Sequence, residues 1–416
     1  MWKYKITFKS ASDTLSFKIE SENKKLIEDF VYGFYQLFGD IKLKKVECLQ
    51  RNDTLTQKGI FTLLDSLKSK FPPSINGLYS FFNKLDKNEY FLFLPEIELT
   101  AENSYKFQNL LISKKTKEPV EKLNEQFEKV FGKVLKNYEV EIAGSIRKHI
   151  GNRSKRICRF CNNDDTKTTF KQTAHAISEG LGNKKVFLYD ECDTCNDKFS
   201  RELEPDIINY YSILRTFFDV KGKGGSKKIK GKEFEIENKE GVTIKFEGLK
   251  HRPDPKGNNY NLKLELLDKV NLQDIYRCLC KYVVSIIDKS HLIHLQKTIK
   301  WINKEISIAD LPKIGELISY NHFTLEPQMF IYIRKTENKK MPHIVGELHL
   351  TCKILTFIVP LSEKDELKFI TETEYKYFWR NLVNYNRTSG WAFNNFSNDT
   401  EREITFKLNT SIKTKK

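Results

Sequence analysis

Between residues 158 and 196 the chain places four cysteines, one histidine and one asparagine at spacings that could do chemistry. Cys158/Cys161 and Cys192/Cys195 are two Cys-x-x-Cys pairs separated by thirty residues. His175 lies between the pairs, and Asn196 directly follows the last cysteine. Each Cys-x-x-Cys turn can point two thiolates at one metal, and two such turns close a tetrahedral site. Soft thiolates suit Zn2+ and leave it no open position, so this zinc is expected to be structural. A neutral imidazole, by contrast, can take a proton from water near pH 7. A hard cation such as Mg2+ or Mn2+ prefers oxygen, and the Asn196 amide with the carboxylate of Glu204 or Asp206 would supply it. The residue types therefore suggest two metals with separate tasks.

The elements that must position these groups can be read from the same stretch. Thr168–Phe170 has the β-branched and aromatic character of a short strand, and Lys185–Tyr189 reads as a second. Gly180 and Gly182-Asn183 supply turn chemistry between them. From Asn196 to Leu214, Phe199, Leu203, Ile207, Tyr210, Tyr211 and Leu214 recur at three- and four-residue steps, which predicts helix, kinked or divided at Pro205. The expectation is a hairpin carrying His175, then a helix with Asn196 at its entrance, stapled by zinc.

This stretch resembles the HNH, or ββα-metal, nuclease superfamily, especially its subgroup with four zinc cysteines and a final Cys-x-x-Cys-Asn. The resemblance covers about fifty of 416 residues and rests on CRFC, AHAISEGLGNKK and ECDTCN. His175 lies fourteen residues after Cys161 and seventeen before Cys192, as a zinc-stapled HNH hairpin requires. The resemblance implies a metal-dependent endonuclease that hydrolyses phosphodiester bonds in DNA, with His175 as general base and Asn196 as the middle letter of the motif. Bacterial anti-phage defence or restriction is the context it suggests. Many members carry a metal-ligating Asp, Glu or His before the base, and here that residue is Ala174. Glu204 or Asp206 would then complete the cation site. The alternative is a non-catalytic nucleic-acid-binding zinc protein with a degraded HNH site.

Charge points the same way. The formal net charge is +16, which favours a polyanionic partner, although an AT-rich genome also inflates lysine. Arg147, Lys148, Arg153, Lys155, Arg156 and Arg159 put six cations in thirteen positions against the first cysteine pair, where they could hold phosphates of double-stranded DNA. A solvated loop is the plainer reading of that run. The remaining cysteines, Cys48, Cys278, Cys280 and Cys352, are scattered and suggest no disulfide framework, so a reducing cytoplasm is expected. No apolar run is long enough to predict a membrane span. A double-strand cut by one such site would call for a homodimer, two nicks or a defence-system partner protein.

The whole chain reads as a multidomain α+β protein, with a central zinc-stapled module between two α+β domains. Residues 1–145 alternate strand and helix patterns without a catalytic constellation, which leaves sensing, target binding or dimerisation as roles. Residues 146–220 form the nuclease module, and 221–232 a basic Gly/Lys linker. Residues 233–416 form a second α+β domain, with a strong amphipathic helix over 274–287. His291 and His294 share a helical face there but lack a third metal ligand nearby. Trp391 and Phe393, in SGWAFNNFSN, could stack bases; core packing is their plainer role.

Overall fold

The computed structural model describes residues 2–40, 45–46, 48–71, 75–97, 99, 101–222, 228–247, 259–382 and 390–411. The chain is mixed α+β, and its contacts fall into two compact units, Met1–Leu135 and Lys136–Lys416.

In the first unit, strands β1 (Trp2–Ser10) and β2 (Thr14–Ser21) form the hairpin expected from their alternation. Ser10 Oγ accepts from the backbone N–H groups of Ser12 and Asp13 and so closes the turn. β3 (Leu49–Arg51) and β4 (Tyr90–Pro95) complete an antiparallel sheet of order β2-β1-β4-β3. Helices α1 (Lys24–Phe38), α2 (Thr54–Leu67) and α3 (Asn76–Lys84) contribute to its core; Asn23 and Asp53 cap the first two through their side-chain oxygens. The core is aromatic: Phe8, Phe30, Phe34, Phe82, Phe91 and Phe93 are all fully buried. Helices α4 (Ala101–Thr116) and α5 (Val120–Asn137) follow. The sequence also reads as strand over 43–49, a stretch that lies partly outside the described residues.

The second unit begins inside the last turn of α5. β5 (Tyr138–Ala143) pairs with a strand nearly two hundred residues later, β13 (Thr324–Arg334), in register from Met329/Ala143 to Arg334/Tyr138. It is the edge of a six-stranded antiparallel sheet that also holds β12 (Ile314–Ile318), β14 (Ile344–Thr351), β15 (Lys353–Ile358) and β16 (Ala392–Asn394), in the order β16-β12-β15-β14-β13-β5. β6 (Lys148–Ile150), β7 (Ala174–His175) and β8 (Val186–Leu188) make a small sheet of order β6-β8-β7, with β6 parallel and β7 antiparallel to β8. Next come α6 (Asp193–Glu202), α7 (Glu204–Tyr210) and α8 (Ser212–Phe217). The hairpin β9 (Phe234–Asn238)/β10 (Val242–Phe246) and the long strand β11 (Asn259–Asn271) lead into α9 (Leu272–Ile286) and α10 (Gln296–Ile302). α11 (Glu372–Asn381) precedes β16, and β17 (Glu401–Ser411) pairs with β11.

Two expectations change here. The boundary expected at 145 falls near 135, because β5 completes the second unit's sheet. A separate domain from residue 233 is not what the contacts give: Ile177, Val186, Leu203 and Ile207 share one buried core with Ile275, Leu279, Leu348 and Phe357. All fifteen residues of α9 are buried, so this helix is the axis of the unit rather than a one-sided surface helix. Residues 223–227 of the expected linker lie outside the described residues.

Candidate metal centre and the adjoining cation–aromatic face

The four Sγ atoms of Cys158, Cys161, Cys192 and Cys195 lie within 4.8 Å of one another. The Cys161–Cys192 separation is 3.7 Å, close to the edge of a tetrahedron built on a Zn–S bond of about 2.3 Å. The local chain arranges this. Asn162 takes a left-handed φ of 57° and its N–H returns to the Cys158 carbonyl, closing the first turn. Cys192 is the N-cap of α6, so Cys195 projects from its first turn. A hydrogen bond from Cys195, with backbone N–H groups behind it, pulls the Cys158 thiol well below its ordinary value, while the same contact pushes Cys195 up. Four crowded thiols cannot all ionise unless a cation sits among them, so the donor set fits a metal ion such as zinc.

The hairpin is organised by Asn183. Its Nδ2 donates to the carbonyls of Ile177 and Val186, and its Oδ1 accepts from the N–H groups of Lys185 and Val186. Gly182 before it takes φ 94°, a conformation glycine adopts freely. The strand expected at Thr168–Phe170 does not form. The Asp193 carboxylate accepts instead from the N–H groups of Lys171 and Gln172 and from the Thr169 hydroxyl, so α6 holds this segment and the strand forms later, at Ala174–His175. Helix follows as expected but in three pieces: Leu203, at φ −123°, separates α6 from α7, and Pro205 occupies the first turn of α7.

His175 is half-buried, with its ring 5.0 Å from that of Phe187, its cross-strand neighbour. Its carbonyl accepts from Lys281 Nζ at 3.1 Å. The same ammonium lies 3.3 Å from Glu191 and 3.4 Å from Glu204. Glu204 is therefore next to the His175 strand, already sharing a buried lysine. Asn196 Nδ2 donates to Gln172 Oε1 at 2.7 Å, and Gln172 Nε2 donates to Asp197, so Gln172 ties the segment before His175 to the Asn196 turn. Asp206 is committed elsewhere. It accepts from the Asn271 N–H at 2.8 Å, at the start of α9, and burial raises its pKa to about 6. Ala174 is buried. Gln172, Glu191 and Lys281 were not singled out from sequence; Lys281 is more than a hundred residues from His175 and carries no motif.

The basic run divides. Arg147 lies over the Phe187 ring at 5.2 Å, Arg153 over Tyr189 at 4.7 Å and Arg156 over Phe170 at 5.7 Å. His149 stacks with both Phe187 and Tyr189, and burial followed by the charges of Arg147 and Arg153 lowers its pKa. Register puts His149, Phe187 and His175 side by side across the three strands. One sheet face thus carries a cation–aromatic surface ending at His175. Lys155 is exposed beyond it. Lys148 is paired with Glu141. Arg159 is a correction: it is 5% exposed and donates to the carbonyls of Val284 and Ile287 at the end of α9, so it holds helix to knuckle rather than phosphate.

His291 and His294 fall in a 3-10 segment, and each ring lies 6.1 Å from that of buried His343. Among the described residues only the four cysteines converge closely enough to hold a metal. No described helix is long and apolar enough to cross a membrane. Comparison with protein-family models, curated proteins and solved structures finds no match for this chain. Fold and site define a mixed α+β protein with a four-cysteine cluster that could bind zinc.

Proposed function

We propose that this chain is a metal-dependent endonuclease of the HNH type, acting on phosphodiester bonds in DNA. The observation that carries the reading is the arrangement around the cysteine cluster. His175 sits on the hairpin leading into it and Asn196 on the helix leaving it, at the edge of a cation–aromatic face. Arg147, Arg153 and Arg156 would hold phosphates on that face, with Phe187 and Tyr189 keeping the guanidinium groups in place. His175 would take the proton of the attacking water, and the Lys281 contact to its carbonyl would fix the strand that carries it. A divalent cation, Mg2+ or Mn2+, would neutralise charge on the scissile phosphate when bound. Asn196 and Glu204 would hold it, while Asp206 accepts from the Asn271 N–H at the α9 N-terminus. Cleavage of invading DNA, as in anti-phage defence or restriction, is the role consistent with this chemistry.

A second reading is favoured by one observation: Glu204 is ion-paired with Lys281, and Ala174 stands where a ligand would precede the base. On that reading the module binds nucleic acid through the same face and does not cut. Plasmid nicking in Mg2+, Mn2+ or EDTA by the wild type and His175→Ala separates the two, with zinc content measured in both. The nuclease reading expects metal-dependent nicking that falls at least about a hundredfold in the variant while zinc is unchanged. Retained DNA binding with no cleavage in any metal would overturn it in favour of the binding module.

A further inference from the structure

The proposed cleavage makes no use of α11 and β16. These elements border a cavity of about 420 Å3, within the roughly 300–1,000 Å3 typical of small-ligand pockets. Tyr375 and Trp379 reach it from one face of α11, four residues apart; Trp391 and Phe393 reach it from an extended segment, two residues apart. Trp379 meets Trp391 at 5.1 Å and 76°, and Phe393 at 4.9 Å and 90°. Phe393 also meets Tyr375 edge-on at 5.8 Å. Such edge-to-face contacts hold rings in fixed orientations.

Gly315 of β12 makes the close approach of the two indoles possible. A Cβ there would stand 2.9 Å from Trp379 and 3.3 Å from Trp391, so both rings lie against bare backbone. Tyr375 and Trp379 are buried, but Phe393 is 40% exposed and Trp391 only half-buried, so two of the four rings stay open to a ligand.

The charges lining the cavity select the ligand. Lys313, Lys376 and Arg380 line it with one carboxylate, Glu372, which pairs with Lys376 at 2.8 Å and Lys313 at 3.8 Å. Among the described residues Arg380 has no ion pair. Aromatic walls alone would also suit a quaternary ammonium, but an excess of cations repels one. A planar ring system that carries an anion satisfies both features. We propose that this cavity binds a nucleobase together with its phosphate, the base stacking on Trp391 or Phe393 and the phosphate meeting Arg380 and Lys376. The ligand is either a free nucleotide or one base of a single strand.

Calorimetric titration of the full chain with AMP, CMP, GMP and UMP, with the matching nucleosides, and with a short single-stranded oligonucleotide tests this. At least one monophosphate, or the oligonucleotide, is expected to bind, and Trp391→Ala to weaken it at least tenfold. Arg380→Gln, at an exposed position that leaves folding undisturbed, is expected to weaken the phosphate form toward the affinity of the nucleoside. Monophosphate binding identifies a free nucleotide as the source, and binding of the oligonucleotide alone identifies a strand. No binding of any probe, or binding indifferent to both variants, overturns the proposal. His175→Ala leaves the expected result unchanged, so the outcome does not depend on the cleavage reading.

Discussion

Lys281 has 1% of its side chain exposed and touches Glu191, Glu204 and the His175 carbonyl. Burial works against its charge, but the two carboxylates outweigh burial and hold its pKa above the ordinary lysine value. Glu191 is pushed up to about 7, chiefly by its own burial. Lys281→Met would leave Glu204 without its counter-charge and free the His175 strand. Removing one partner of a buried pair commonly costs about 3–5 kcal/mol, and since Glu191 can take up a proton we expect the lower end, about 3 kcal/mol, in chemical denaturation. On the proposed function the arginines of the sheet face would act differently, through released counterions. Changing Arg147, Arg153 and Arg156 together to Gln is expected to make the slope of log K against log salt shallower by about 3, read by fluorescence anisotropy on duplex DNA. An unchanged slope would remove that face from the DNA path.

At the scale of elements, the knuckle and hairpin depend on one turn. Gly151, just after β6, has φ 90°, and a Cβ there would fall 2.3 Å from an oxygen of buried Asp190. Asp190 in turn accepts from the Asn152 N–H and lies 3.0 Å from Lys289 and 3.8 Å from Arg159. Gly151→Ala therefore combines a strained backbone with a clash that no flexible chain end can relieve, and is expected to destabilise the fold by about 2 kcal/mol in urea unfolding. The missing strand at Thr168–Phe170 belongs to this scale too. Its residues favour strand, but the Asp193 carboxylate accepts from the Thr169 hydroxyl and from the N–H groups of Lys171 and Gln172 just beyond, the Asp193 N–H donates to the Thr169 carbonyl, and these competing bonds decide the conformation.

At the scale of the whole chain, the cysteine cluster lies within the second compact unit alone. Metal loss should then act on one unit. Scanning calorimetry of the full chain with and without a zinc chelator is expected to lower the transition of residues 136–416 and leave that of residues 1–135 in place. A common shift of both would mean that the two unfold together.

The cysteine spacing, the second strand of the hairpin with its turn glycines, the broken helix after Asn196 and most strands and helices of both units are legible in the sequence, because they follow from local spacing and turn chemistry. Tertiary structure alone decided which polar groups the core would take. The pattern over 274–287 marks Ile275, Leu279, Tyr282, Val283 and Ile286 as one apolar face and leaves Arg277 and Lys281 to solvent; α9 is instead enclosed on every side. Arg277 is buried against Asp274 and Asp399, and Lys281 reaches the candidate site. Arg159 left the surface for the same reason, since the carbonyls at the end of a buried helix need donors that water cannot supply. Periodicity records which faces are apolar; which charged side chains meet inside depends on segments a hundred residues apart coming together.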